Sequence, residues 1–331
     1  IVFVISNSVS ADPRVEKEVQ SLKTHGFKVT VLAWDREGRF QNFGDSGDRS
    51  VHRFQLRAPY RKLVIVAYYP LFWLWVLSRL LRIRPTIIHA CDLDSIFPSL
   101  FYKLLKRETK VIFDVFDTYT LLIQSKSKML GKLVRPMELF GASRSDACIT
   151  VSRERLSFFH RVKPRLTEII MNCPRSDCVS PDHTQTKKAA KVFRVVYAGT
   201  VAPHRGLIEF AKAIESIDDV EFIIAGRVID RKIASKLNHF RCVKYVGQLT
   251  FKESLILEKS ADVIPVLYDL STPINKTATP NKLFEAMMLG IPIITNLPNI
   301  LPEVQCGIEV DYNDIIGIRK AVLFLKKYSE V

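Results

Sequence analysis

The sequence predicts an α/β protein built from two Rossmann-like, doubly wound domains. The chain has 331 residues, which fits two domains of ordinary size, and its hydrophobic content of 47% supplies enough apolar side chains for two cores. Short apolar runs alternate with longer amphipathic segments, the pattern of parallel strands connected by helices. A strand, a loop and a helix open the chain at residue 1, and a similar unit opens again near residue 193.

The first unit begins with the apolar run 1–5 (IVFVI), as expected of a central parallel strand. A helix is predicted from about residue 13 to Thr24, and the next strand covers 27–32. The loop after the first strand lacks G-x-G-x-x-G, which argues against a dinucleotide-binding turn. Arg14 and Glu18 lie four residues apart on this helix, a spacing that predicts an exposed ion pair.

The segment 63–77 (LVIVAYYPLFWLWVL) is apolar and flanked by arginines on both sides. It falls short of the ~20 apolar residues that span a bilayer, and Pro70 interrupts it. Two interpretations stay open: a buried helix of the first domain, or a helix resting in a membrane interface. They are compatible if only one face is buried. The two tryptophans, two tyrosines and flanking arginines are typical of an interface and favour membrane contact.

Charge and cysteine usage narrow the class of protein. Residues 1–178 contain 29 lysines and arginines against 17 acidic residues, so most of the net charge of +15 lies in the first half. This charge indicates an anionic partner, such as a membrane surface or a phosphorylated acceptor. Nucleic acid is not expected, because no recognition motif accompanies the charge. Six scattered cysteines without a CxxC pair and no recognisable signal peptide predict free thiols in a cytoplasmic protein.

Two predicted strands of the first domain end in polar side chains. Strand 86–90 ends near His89, and strand 110–115 leads from Asp114 to Asp117. Side chains at the carboxyl ends of parallel strands face the ligand crevice of open α/β sheets. We therefore predict His89, Asp114 and Asp117 as candidate catalytic, acceptor-side residues. Alternatively, Asp114 caps a turn or helix, and His89 is a core histidine.

The polar stretch after residue 174 divides the chain. We predict an N-terminal domain over 1–178, a linker over 179–191 and a C-terminal domain over 192–331.

The second domain opens with a strand that runs into the turn Gly199–Thr200, and Arg205 precedes the next helix. Free backbone N–H groups at a helix start, together with the fixed charge of Arg205, predict a diphosphate site. Arg227 lies in the next glycine turn and is a second candidate.

The segment 277–295 (TATPNKLFEAMMLGIPIIT) predicts a helix that begins after Thr279 and ends at Gly290, followed by a buried strand. Asn281, Lys282 and Glu285 fall on one polar face near the positive end of this helix. The face suits a ligand with phosphates and sugar hydroxyls, although an ordinary solvated face has the same spacing. Leu283, with Phe284, Met287 and Met288, is predicted to form the apolar stripe.

Residues 280–294 (PNKLFEAMMLGIPII) resemble the donor-binding helix of glycosyltransferase family 4, retaining sugar transferases of the GT-B fold. The resemblance implies two Rossmann-like domains facing a cleft, with the donor on the C-terminal domain and the acceptor on the N-terminal domain. It also implies that Glu285 holds the ribose diol of a nucleotide. The donor-binding residues predicted in this way are Gly199, Thr200, Arg205, Arg227, Asn281, Lys282, Leu283 and Glu285.

The chain departs from the family pattern at three positions. Thr200 replaces the first member of a basic pair, Thr277 replaces a second glutamate, and Phe116 stands where relatives usually have a histidine. These departures leave a catalytically silent GT-B scaffold subunit as one alternative. A nucleotide-sugar epimerase on the same fold is another.

The resemblance implies transfer of a sugar from a UDP- or GDP-sugar to a glycan or lipid-linked acceptor. Such a site needs positioning and neutralisation of phosphate charge, which Arg205 and Lys282 can supply. No cofactor or metal is therefore expected. The basic N-terminal domain is expected to contact the inner membrane surface, peripherally.

Overall fold

The computed structural model describes residues 1–8, 13–38, 50–59, 63–175, 192–297 and 305–329. The chain separates into two compact units, Ile1–Met171 and Asn172–Val331. The predicted linker 179–191 lies outside the described residues and stays a prediction.

The first unit contains seven strands, six α-helices and a 3₁₀ helix at Leu63–Ala67 in its described residues. The strands are β1 (Val2–Ile5), β2 (Thr30–Trp34), β3 (Val51–Phe54), β4 (Ile87–Cys91), β5 (Lys110–Val115), β6 (Ala147–Thr150) and β7 (Thr167–Ile169). The helices are α1 (Pro13–Thr24), α2 (Tyr69–Ile83), α3 (Leu93–Leu105), α4 (Tyr119–Gln124), α5 (Lys128–Arg144) and α6 (Arg153–Ser157).

All seven strands are parallel and lie in the order β3-β2-β1-β4-β5-β6-β7. β1 is fully buried, as its unbroken apolar sequence predicts. β2 begins three residues later than predicted, because its pairing with β1 starts at Thr30 opposite Val2. Helices α2, α3 and α5 contribute to one core cluster and α1 to another, so helices bury both faces of the sheet.

The second unit repeats this plan. Its strands are β8 (Phe193–Ala198), β9 (Val220–Ala225), β10 (Val243–Tyr245), β11 (Ile264–Val266), β12 (Ile293–Thr295) and β13 (Gly307–Glu309). Its helices are α7 (Leu207–Ile214), α8 (Arg231–Leu237), α9 (Phe251–Lys259), α10 (Asn281–Leu289) and α11 (Ile315–Ser329).

Two parallel sheets, β10-β9-β8 and β11-β12-β13, are joined by a parallel bridge between Val195 and Val263. Read across both sheets, the strand order is third, second, first, fourth, fifth, sixth. The first unit has the same order over its first six strands. This is the order of the Rossmann fold, and it confirms the predicted fold class of two doubly wound, Rossmann-like domains.

Candidate active site

Two glycine turns meet at the carboxyl ends of β8 and β9. A Cβ atom on Gly226 would overlap the carbonyl oxygen of Gly199, so only a glycine allows the two backbones to pack this closely. The Gly226 amide donates to the carbonyl of Gly247 at 2.7 Å. This hydrogen bond fixes the turn at Gly226 against a third turn, which follows β10. The turn at Gly199 thus packs against the turn at Gly226.

Lys282 projects from the first turn of α10 to the Gly199 turn. Its Nζ donates to the carbonyl of Ala198 at 2.6 Å and lies 4.3 Å from the centre of the Tyr197 ring. A Cβ on Gly199 would lie only 2.5 Å from this ammonium. Lys282 is buried, so the alternative of an ordinary solvated face is wrong for this residue, because β8 and its turn cover that side of the helix.

Glu285 is buried one turn further along α10. Burial raises the pKa of its carboxyl group, and the positive charge of Lys282 opposes that rise. Leu283 packs in the core, as predicted, whereas Asn281 is exposed. The predicted apolar stripe is partly wrong, since Met287 is exposed although it lies one turn after Leu283 on the same side of the helix.

Helix α10 itself begins at Asn281, one residue later than predicted. Pro280 occupies the N-cap position, and no side chain caps the helix. Gly290 ends it in the left-handed conformation with a φ of 68°, as predicted.

Arg205 approaches the same cluster from the turn before α7. Its guanidinium carbon lies 4.3 Å from the centre of the Tyr268 ring, in a cation–π contact. Tyr268 is buried beside the charges of Arg205, Lys282 and Glu285, and burial is the main cause of its raised pKa. The structure thus brings the guanidinium of the turn before α7 close to the ammonium and the carboxyl group of α10.

The remaining predicted donor residues lie near these turns. The Thr200 carbonyl accepts the Tyr197 hydroxyl at 2.8 Å. The side chain of Arg227 is exposed, and its carbonyl accepts the Val201 amide at 3.0 Å. Among the contacts of the described residues, this backbone hydrogen bond is therefore what links Arg227 to the turn at Gly199.

The topology of the second unit makes this place a candidate binding site. The strand order reverses between β8 and β11. Gly199 directly follows β8, and Tyr268 lies just beyond β11. In open α/β sheets ligands bind outside the carboxyl ends of the strands at such a switch point.

In the first unit, two of the predicted catalytic residues join a buried cluster. His89 Nε2 and Asp114 Oδ2 are 2.8 Å apart. Arg14 donates to Asp114 Oδ1 at 2.9 Å and pairs with Glu18 at 3.1 Å. Arg14 and Glu18 are both buried, so the predicted exposed ion pair is wrong. Helix α1 turns that pair toward the carboxyl end of β5, which supplies Asp114, and its neighbour β4 supplies His89.

The cluster holds its carboxyl groups in different protonation states. Burial and the adjacent Asp114 charge raise the pKa of Glu18 to about 9. Burial also opposes ionisation of Asp114, but hydrogen bonding and charge from His89 and Arg14 outweigh it and lower the pKa of Asp114. At neutral pH, Glu18 is therefore protonated and Asp114 is ionised.

Glu18, His89 and Asp114 also offer three possible metal-ligand atoms within 4.8 Å of one another. The sequence does not reveal this grouping, because the residues are far apart in the chain. The Arg14 guanidinium already faces both carboxyl groups, and its charge disfavours a second cation there.

Asp117 lies apart from this cluster. Its side chain is 55% exposed and lies 3.2 Å from Arg155. Its amide donates to Asp92 Oδ1 at 3.2 Å, which fixes the turn after β5. Phe116, in place of the family histidine, lies under the Arg14 guanidinium at 4.9 Å. Asp117 is thus the most accessible of the three predicted catalytic residues.

A second buried network in this unit was not predicted. The Asp94 carboxylate accepts the Tyr69 hydroxyl at 3.1 Å, the Tyr119 hydroxyl at 3.0 Å and the Ser6 hydroxyl. Arg36 lies 3.6 Å from the same oxygen. Ser6 and Asp94 follow β1 and β4, the switch point of this sheet. The sequence signal that could have pointed to this network is the position of Ser6 and Asp94 shortly after two strands.

Family models match both units. The model for Glycosyltransferase Family 4 covers residues 14–173, and the model for Glycosyl transferases group 1 covers residues 192–326. The chain belongs to these glycosyltransferases. It is an enzyme of the GT-B fold, which confirms the resemblance that residues 280–294 carry.

Solved structures share this fold at low sequence identity. Sucrose-phosphate synthase from Thermosynechococcus elongatus is 17% identical, with a TM-score of 0.80 over 98% of this chain and 89% of that one. Anabaena HepE in complex with UDP is 14% identical, with a TM-score of 0.72 over 99% and 90%. A glycosyltransferase from Rickettsia africae is 11% identical, with a TM-score of 0.68 over 99% and 88%. No curated protein sequence matches this chain.

Proposed function

We propose that this glycosyltransferase moves a sugar from a UDP- or GDP-sugar to a glycan or lipid-linked acceptor, with retention at the anomeric carbon. The observation that carries the proposal is the buried pair Lys282 and Glu285 beside the Gly199 turn at the switch point of the second unit. The structure of HepE with UDP supports a nucleotide donor for a protein of this fold.

Each group of the cluster has a role in this reaction. Glu285 accepts the two ribose hydroxyls, because an ionised carboxylate has two acceptor oxygens. Lys282 and Arg205 neutralise the diphosphate. During transfer, the bond from the anomeric carbon to the diphosphate oxygen breaks, the acceptor oxygen bonds to that carbon, and the acceptor proton passes to the diphosphate. Lys282 and Arg205 provide the positive charge that a metal would otherwise supply, so we propose a metal-independent reaction.

Nucleotide binding tests the donor site. Thermal unfolding is measured with UDP, GDP, their glucose and mannose conjugates, and ADP-glucose. A ligand at 100 times its Kd stabilises the folded protein by about 2.7 kcal/mol. Glu285→Ala is expected to abolish this shift while keeping the unfolding transition, whereas Glu215→Ala, an exposed acid after α7, keeps both. An unchanged shift in Glu285→Ala contradicts the assignment.

The products of the reaction separate the remaining alternatives. Transfer of labelled sugar to an acceptor extract supports the transferase. Conversion of the nucleotide sugar into its epimer without an acceptor supports the epimerase. Absence of any nucleotide binding supports the silent scaffold.

We also propose that the first unit docks on the cytoplasmic surface of an anionic membrane, close to the acceptor. Helix α2 buries Phe72, Val76 and Leu80 and exposes Leu71 and Leu74, so one face is free for lipid. None of the helices in the described residues is long and apolar enough to cross a membrane. The tryptophans predicted to contact lipid instead face inward: Trp73 donates to the Asp94 carbonyl at 2.7 Å, and Trp75 packs on Phe54 and Phe72.

Two neighbouring helices extend this face. Helix α3 packs against both α2 and α5. The exposed apolar side chains of α3 and α5 are Phe101, Leu104, Leu105, Met129, Leu133, Met137 and Phe140. Exposed basic residues on or next to the three helices are Arg82, Arg84, Lys106, Arg107, Lys128, Lys132 and Arg144. Apolar side chains interspersed with positive charges suit a bilayer of acidic lipids.

Co-sedimentation with vesicles tests this surface. Wild type is expected to bind vesicles that contain 30 mol% phosphatidylglycerol and to stay unbound with phosphatidylcholine alone. Leu74→Glu combined with Leu104→Glu and Leu133→Glu should abolish binding. The control is Ile256→Glu, which changes an exposed apolar residue of α9. Equal sedimentation of the triple variant and wild type contradicts the proposal.

A further inference from the structure

Helix α9 contains a carboxyl group with no evident structural purpose. Glu258 has 0% exposure, and neither of its carboxyl oxygens has a hydrogen-bond partner among the described residues. Leu255, one turn earlier on the same face, is buried in the ordinary apolar manner. An unpaired buried acid destabilises a fold, so its presence here calls for a functional reason.

The surroundings of Glu258 point to that reason. Helix α9 packs against α10, which carries the donor-site residues. The negative charge of Glu285 raises the pKa of Glu258, and the positive charge of Lys282 lowers it. A buried carboxyl group on the helix that packs against α10 is thus near enough to interact with the carboxylate that is proposed to hold the ribose.

We propose that Glu258 is a positioning residue that carries the proton of a Glu258–Glu285 pair, so that Glu285 is the ionised member and faces the donor. This inference rests on the proposed function. At neutral pH the pair then has a single negative charge, which the adjacent Lys282 balances. Glu258 acts through Glu285 and touches no substrate.

Protonation of Glu258 is consistent with its environment. Burial, followed by the charge of Glu285, raises its pKa to about 8. The other titratable and charged groups around the pair are Lys282 on α10, Tyr197 on β8, and Tyr268 with Arg205 beyond the strand ends. Burial raises the pKa of both tyrosines, which stay neutral in this range. Glu258 is therefore the group of this cluster that loses a proton just above neutral pH.

Loss of that proton is expected to weaken nucleotide binding. It adds a second negative charge next to Lys282, in a site that must accept an anionic diphosphate. Nucleotide affinity is therefore expected to fall as the pH rises from 7 to 9, on the order of tenfold for one added charge at close range in a partly shielded site. Ionisation of the nucleotide phosphate does not confound this range, since a second phosphate pKa lies near 6.

The test measures the Kd of UDP and of GDP by calorimetry between pH 7 and 9, in wild type, Glu258→Gln and the exposed control Glu215→Gln. Wild type and the control should weaken by roughly tenfold. Glu258→Gln should bind within about twofold of wild type at pH 7 and stay constant to pH 9, because Gln resembles the protonated acid and has no charge to gain.

Two results overturn the inference in distinguishable ways. Equal pH profiles for wild type and Glu258→Gln refute the role of Glu258 and leave the donor site standing. Absence of binding by either nucleotide to wild type refutes the donor site and the positioning role together. A fold defect in Glu258→Gln is recognised from its thermal unfolding at pH 7, and Glu258→Leu then replaces it, with the same constant profile expected.

Discussion

Asp114→Asn tests whether the buried cluster of the first unit supports the fold. Asp114 is fully buried, and its two oxygens contact Arg14 at 2.9 Å and His89 at 2.8 Å. The substitution keeps the size of the side chain but removes its charge. Arg14 then stays buried beside the protonated Glu18 and the Ile170 carbonyl but no longer faces the negative charge of Asp114.

The expected loss follows from this geometry. Breaking a buried ion pair by removing one partner destabilises a protein by 3 to 5 kcal/mol, roughly. The amide of Asn still accepts one hydrogen bond, so we expect a value near the lower end, about 3 kcal/mol. For a unit of this size each kcal/mol lowers Tm by about 2–4 °C, which corresponds to a decrease of roughly 6 to 12 °C.

The assay is urea unfolding followed by circular dichroism, together with thermal unfolding of the same samples. Asp117→Asn is the matched control, since Asp117 pairs with Arg155 but is 55% exposed. Exposed pairs contribute about 0–1 kcal/mol, so the control should remain close to wild type. A loss below about 1 kcal/mol for Asp114→Asn would refute the structural role, and activity could then be examined for a catalytic one.

Three further predictions concern the two units. Glu18→Gln should match the stability of wild type near pH 4.5 and become increasingly more stable than wild type toward pH 9, because the raised pKa of Glu18 makes wild type lose stability over that interval. The free energy of unfolding at several pH values measures this difference, and parallel curves for the two proteins would contradict it. Glu138→Ala should lower the free energy of unfolding by about 3 kcal/mol, since the buried Glu138 carboxylate accepts the Tyr119 amide at 2.6 Å and the Thr120 amide at 3.0 Å. Urea unfolding measures this loss, and a change below roughly 1 kcal/mol would contradict the prediction. Gly199→Ala should weaken nucleotide binding at least about tenfold because the new methyl group displaces the Lys282 ammonium; calorimetry with UDP and GDP measures the Kd, and an unchanged value would show that this turn tolerates a side chain.

The strands and the donor helix could be predicted because their sequence signals are local. The continuous apolar run of β1 predicts a strand buried on both faces, and the structure buries all of it. Gly290 predicts the end of α10 because the left-handed conformation there favours glycine. The long match over 280–294 identifies the family, since it preserves polar and apolar positions together.

The placement of charged residues could not be predicted in the same way. Helical spacing shows that Arg14 and Glu18 share a face, but it does not show that Asp114 and His89 cover that face. For Lys282, the amphipathic pattern fits a ligand-binding face and a solvated face equally, and it does not show that the turn after β8 buries the side chain. In each case the partner comes from a strand far away in the sequence.

The sequence by itself determined the two-domain α/β architecture, the family and the residues proposed to hold the donor. Glycines, apolar runs and a motif on one helix express these properties locally. Only the tertiary structure decided which carboxyl groups are buried together and which of them carry a proton. Burial and charge at a given carboxyl depend on every element packed around it, as Glu258 on α9 and Glu285 on α10 show.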